Sequence, residues 1–159
     1  MSIRLFALLV PLVLSLIPSV HADENLPATI AAQRIAQCEQ QSGENRFHLH
    51  RCLLREYEIL QKRTDILVDK LLGMVGGNKS FGRYKKIRWS EAIAKSHSLW
   101  QKLVPKDCEW EAHILPSLKG ASIAIDRCGI KQAAKRVQHL EKRVKTLDNI
   151  LIDEKNRDK

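Results

Sequence analysis

Apolar residues recur at helical spacing along most of this chain. The set Leu53, Tyr57, Leu60, Thr64, Leu67, Leu71 and Met74 repeats at alternating steps of four and three, as expected of one buried stripe on a long amphipathic helix. Ile130, Ala133, Val137, Leu140, Val144, Leu147 and Leu151 repeat in the same way near the C-terminus. Between these two sets, Ile87, Ala92, Ile93, Leu99, Trp100 and Leu103 predict the buried face of a helix from about 83 to 104. A shorter Ala- and Gln-rich segment, 26–41, places Ile30, Ile35 and Cys38 near one helical face. Breakers separate the elements: Ser42-Gly43, then Gly76-Gly77-Asn78 with residues that tolerate positive φ, then Pro105, which lacks the amide hydrogen a helix interior needs. The stretch from Pro116 to Gly129 shows no period, and the residues from Asp153 to Lys159 are expected to fray. No segment alternates with period two for long. The expected fold is therefore all-α, a long antiparallel helical hairpin with a short N-terminal helix and a long C-terminal helix.

A different pattern opens the chain. Leu5 to Ile17 is an apolar run behind the single charge of Arg4, well short of the roughly 20 residues that span a bilayer. Pro18-Ser19 breaks it, and Val20-His21-Ala22 places small residues three before and one before a cut between Ala22 and Asp23, the layout of a cleavable secretory signal. The expectation is one domain over 23–159, periplasmic or secreted and no longer membrane-spanning after cleavage. The chain carries 27 Lys and Arg against 18 Asp and Glu, a net +9. Arg4 is the only Lys or Arg removed, so the product stays strongly basic.

Export changes the meaning of the cysteines. Cys38, Cys52, Cys108 and Cys128 are an even set in an exported chain, which predicts two disulfides. Their gaps of thirteen, fifty-five and nineteen residues do not bring close pairs together as zinc sites do. Folding back at Ser42-Gly43 and across the Pro116–Gly120 loop favours Cys38 with Cys52 and Cys108 with Cys128. The rival, Cys52 with Cys108 and Cys38 with Cys128, stays open, because a hairpin centred near Asn78 sets Cys52 roughly opposite Val104.

The candidate chemistry is binding chemistry. Lys79, Arg83, Lys85, Lys86 and Arg88 interleave with Phe81, Tyr84 and Trp89 where the 83–104 helix begins. Cations at a helix N-terminus oppose its dipole, so an anionic partner, lipid headgroup or polymer, is one reading; a solvated turn is the plainer one. Nucleic acid is not expected outside the cytoplasm. Trp89, Trp100 and Trp110 invite a sugar platform, with core packing the better account of Trp100. His48 and His50 are two apart and face different sides of a helix, so no metal and no cofactor is expected. No local motif joins a nucleophile to a base, and the reading is of a protein that is not an enzyme. A dimer through the C-terminal stripe, Val137 to Leu151, is a further alternative.

Trp100, Cys108, the run Gly120-Ala121-Ser122, Cys128, Arg136 and Leu140 fall in an order and spacing that resembles the LprI-type lysozyme-inhibitor domain, a family of exported bacterial envelope proteins. The chain departs from the family pattern at Val104-Pro105 and at Gln61, Thr64, Asp65 and Val68. The resemblance spans about 38–140. It implies a disulfide-stapled helical domain that binds an envelope-acting protein such as a lysozyme. Charge points elsewhere, since common lysozymes are themselves cationic and a basic inhibitor meets long-range repulsion.

Overall fold

The computed structural model describes residues 26–114 and 120–157. The proposed cleavage site at Ala22 and Asp23 lies outside them. Four helices make up the described residues, with no strand: α1 (Leu26–Ser42), α2 (Arg46–Gly77), α3 (Arg83–His113) and α4 (Ala121–Arg157). The expected all-α architecture with a long hairpin is what the chain adopts.

Each boundary has a local cause. Gly43 takes φ 52° and its amide donates to the Glu39 carbonyl at 3.1 Å, closing α1 with a left-handed residue that glycine adopts without strain. Asn45 caps α2, its Oδ1 accepting from the amides of Phe47 and His48 at 3.1 and 3.2 Å. The far end of α2 does not use positive φ at Gly76, Gly77 or Asn78. Asn78 is extended, and its Oδ1 instead accepts from the Ser80 amide at 2.8 Å and the Ser80 hydroxyl at 2.7 Å. A side chain shapes this turn where backbone freedom was expected to.

The heptads on α2 and α4 pack against each other. Leu53, Leu60, Ile130 and Ala133 belong to one core cluster, while Leu67, Leu71, Val75, Leu140, Val144 and Leu147 form a second one further along. The C-terminal stripe is thus buried within the chain. Ion pairs Arg63–Glu141 and Lys70–Asp148 keep a constant offset along both helices, so α2 and α4 run parallel. α1 and α3 each pack on both of them. With 17 residues against 32, α1 covers only about half the length of α2, beside its N-terminal end.

Two expectations change at α3 and α4. Pro105 does not end α3; the helix passes through it to His113, because Val104 before it and Cys108 and Ala112 after it are buried and the segment is bonded through Cys108. That packing outweighs the roughly 3 kcal/mol a helical proline costs. α4 begins at Ala121, inside the stretch that shows no period. Its first turns are held by Asp126, Cys128 and Gly129, which no apolar stripe reveals; the ring of Tyr57 lies 3.2 Å from where a Cβ on Gly129 would sit. The helix then continues through Arg157. The disulfides are Cys38–Cys52 and Cys108–Cys128, with Cα separations of 5.6 and 5.5 Å, which excludes the rival pairing.

Candidate functional site

α3 departs most from its sequence pattern. Of its expected buried residues, Ile93 and Trp100 are half-buried, while Ile87, Ala92, Leu99 and Leu103 are exposed. The helix meets α2 and α4 mainly through Val104, Cys108 and Ala112 at its C-terminal end. Closer to its N-terminus it stands away from α4, and a groove of about 440 Å³ opens between them. Leu71 and Val75 of α2 lie at its floor with Leu140 and Leu147; Trp89, Ala92, Ile93 and Ser96 form the α3 wall, and Arg136, His139, Arg143, Thr146 and Ile150 the α4 wall.

The α4 wall is basic at one end. Arg136, His139 and Arg143 fall three and four residues apart, on one helical face. None has a carboxylate partner among the described residues. Arg136 donates to the Ser96 hydroxyl at 3.3 Å and lies 5.9 Å from the Trp100 ring centroid, and its buried Nε has no acceptor. Burial lowers the Arg136 pKa. Burial first, then Arg143 and Arg136, holds His139 below the ordinary imidazole value, so near neutral pH the wall carries two guanidinium charges beside a neutral ring. The other end is apolar. Thr146 donates its hydroxyl to the Lys142 carbonyl at 2.9 Å and asks nothing of the groove.

Ion pairs sharpen the contrast between seams. Arg34–Glu56 joins α1 to α2, Arg127–Glu39 joins α4 to α1, His50–Asp126 joins α2 to α4, and His97–Asp65 joins α3 to α2. Among the described residues none joins α3 to α4. His50 Nδ1 lies 2.5 Å from Asp126 Oδ2, and burial raises the Asp126 pKa against the lowering effect of that contact.

The basic aromatic turn lies at the apolar end of the groove, and Trp89 belongs to both. Phe81 is buried and meets Trp89 edge-on at 5.1 Å. Lys85 Nζ lies 3.9 Å from the Phe81 centroid and 4.9 Å from that of Trp89, and Arg88 lies over Tyr84 at 5.6 Å. Lys86 Nζ donates to the Gly76 carbonyl at 3.0 Å, satisfying the C-terminal end of α2. Glu154 accepts from Ser80 at 2.5 Å and Asn78 at 3.3 Å, and those two hydrogen bonds hold its pKa below the ordinary value, with Lys85 and Arg157 assisting. Of the turn's cations, Lys85 and Lys86 therefore have roles inside the fold, while Lys79, Arg83 and Arg88 stand in solvent.

The residues behind the family resemblance converge only in part. Trp100, Arg136 and Leu140 meet at or beside the groove, whereas Gly120 and Ser122 lie at the far end, by Cys128. Trp110 is exposed and shares no face with Trp89 or Trp100 that stacks on a ring. Sequence reasoning did not single out His139 and Arg143 as site residues; the available signal was their spacing of three and four residues from Arg136, which puts all three on one helical face. The chain matches no family model, no curated protein and no solved structure.

Proposed function

We propose that the chain is an exported, non-enzymatic binding protein that attaches to anionic material of the bacterial envelope through the α3–α4 seam. One observation carries this reading: Arg136, His139 and Arg143 line an apolar groove with no carboxylate opposite them. A cation held over apolar surface without a counter-ion favours an anion that brings apolar area with it. The exposed Lys79, Arg83 and Arg88 extend the basic surface past the groove's apolar end and would add long-range attraction. The two disulfides are compatible with an oxidising compartment, and among the described residues no helix is long and apolar enough to cross a membrane.

The inhibitor role implied by the LprI resemblance makes the opposite demand, because a cationic lysozyme would meet a surface of its own sign. Co-sedimentation with vesicles tests the choice. Phosphatidylglycerol vesicles should bind the protein at low ionic strength and release much of it at moderate salt, and phosphatidylcholine vesicles should not bind it. Arg136→Gln with Arg143→Gln should weaken attachment by about 2 kcal/mol, roughly thirtyfold. Equal binding to both vesicle types would remove the reading, and loss of lysozyme turnover at equimolar protein would restore the inhibitor.

A further inference from the structure

The groove is polar at one end and apolar at the other, which narrows the anion it suits. Arg136, His139 and Arg143 occupy the end nearer the disulfides; Leu71, Val75, Trp89, Leu147 and Ile150 occupy the end toward the hairpin turn. From Arg136 to Ile150 is about 20 Å along α4. An amphipathic helix laid in a groove calls for charge along its flanks, but the α3 wall offers only Trp89, Ala92, Ile93 and Ser96, with no charge. An inorganic anion would leave the apolar end in water. A volume near 440 Å³ falls within the range of small-molecule sites, about 300 to 1,000 Å³.

We infer that the groove seats a single acyl chain, with its carboxylate on Arg136 and Arg143 and its tail running toward Trp89 and Val75. This rests on the anionic-partner reading above and specifies the molecule. Arg136 supplies the sharpest contact: its guanidinium donates to the Ser96 hydroxyl at 3.3 Å and meets no carboxylate among the described residues, and a ligand carboxylate at the groove mouth supplies the missing counter-ion. The tail covers Leu71, Leu147 and Ile150, while Ala92 and Ser96 on α3 are small enough to leave room for it. The protein is then a carrier of soluble fatty anions, or a grip on a lipid whose chain has left the bilayer.

Titration of the full chain with sodium dodecanoate below its micelle concentration tests this by calorimetry. One chain should bind per protein, and dodecyltrimethylammonium, with the same tail and opposite charge, should bind at least about tenfold more weakly. Arg136→Gln with Arg143→Gln should weaken dodecanoate at least about tenfold. Ala92→Trp, at an exposed position where folding is not at stake, should abolish it, with helicity by circular dichroism and the unfolding midpoint unchanged. The orientation has its own readout in a chain carrying Trp100→Phe and Trp110→Phe, where Trp89 alone reports and Trp100 beside Arg136 no longer contributes: 12-bromododecanoate should quench its fluorescence more than 2-bromododecanoate. Dodecanoate binding no better than acetate, in protein that still sediments with phosphatidylglycerol vesicles, overturns the acyl seat alone. Failure to bind either overturns the anionic reading with it. Stronger quenching by the 2-bromo acid reverses the orientation and overturns the placement of the carboxylate.

Discussion

At the disulfide end of the bundle, Arg34, Arg127 and His50 each meet a carboxylate on a neighbouring helix. Toward the hairpin turn, Arg136, His139 and Arg143 on α4 meet none from α3. The first region has four helices and two disulfides; the second has three helices, because α1 ends its cover partway along α2, and no disulfide. At the stapled end Asp126 is taken from water and is paired with His50, since an uncompensated buried charge costs several kcal/mol, while the half-exposed Arg34 and Arg127 pair across the surface. At the α3–α4 seam His139 and Arg143 are exposed and require no internal partner, while Arg136 is half-buried and held by the Ser96 hydroxyl. The stapled end therefore stabilises the fold, and the open seam keeps charge available for a ligand.

Core truncation should separate the two regions most strongly. Leu53→Ala, fully buried in the stapled end, should cost about 2–5 kcal/mol in denaturant unfolding. Leu99→Ala or Leu103→Ala, on the exposed flank of α3, should cost less than about 0.5 kcal/mol. Equal losses would mean that α3 packs through the face its sequence pattern predicts. Replacing Cys38 and Cys52 together with Ala should cost about 3 kcal/mol, from the freedom returned to the unfolded loop, visible as a lower unfolding midpoint with an m-value raised by the more expanded unfolded chain.

The charges give smaller effects. His50→Ala leaves the buried Asp126 carboxylate without its partner and should cost about 1–3 kcal/mol, whereas Arg143→Gln should leave stability nearly unchanged. Burial keeps the Asp126 pKa above the ordinary carboxylate value, so the folded protein holds that proton more tightly than the unfolded chain. Stability should then fall as pH rises from the ordinary to the raised pKa, and Asp126→Asn should flatten that part of the profile. The smallest effect belongs to His139. Its pKa is lowered, so the unfolded chain binds the proton more readily, and stability should fall as pH drops from the ordinary imidazole value to the lowered one. His139→Gln should remove that slope. Anion binding runs the other way, tightening over the same interval as the ring gains charge.

How far the sequence reveals these regions depends on what holds each together. The α2–α4 interface was legible because its contacts are aliphatic and periodic: Leu60, Leu67 and Leu71 on one helix, Leu140, Val144 and Leu147 on the other. The disulfide pairing was legible as a preference, because Ser42-Gly43 folds the chain locally. The start of α4 was not, since Asp126, Cys128 and Gly129 pack through an ion pair, a disulfide and a close approach to Tyr57, none of which leaves an apolar period. α3 misled in the opposite sense. Leu99 and Leu103 have the spacing of a core stripe, but the face that α3 turns inward carries Ile93, Trp100, Val104, Cys108 and Ala112, and Leu99 and Leu103 lie off it. The groove followed the same rule: Arg136, His139 and Arg143 look like any solvated face until the helix opposite is seen to bring no acid.

The central claim is that the open α3–α4 seam, not the stapled end, receives the anion. Backbone amide shifts of isotopically labelled protein titrated with dodecanoate test it most directly. The account predicts perturbations concentrated at residues 89–96 and 136–150, with the amides around Cys38, Cys52 and Asp126 unmoved. Shifts centred on the disulfide end, or spread evenly over the basic surface, would contradict it.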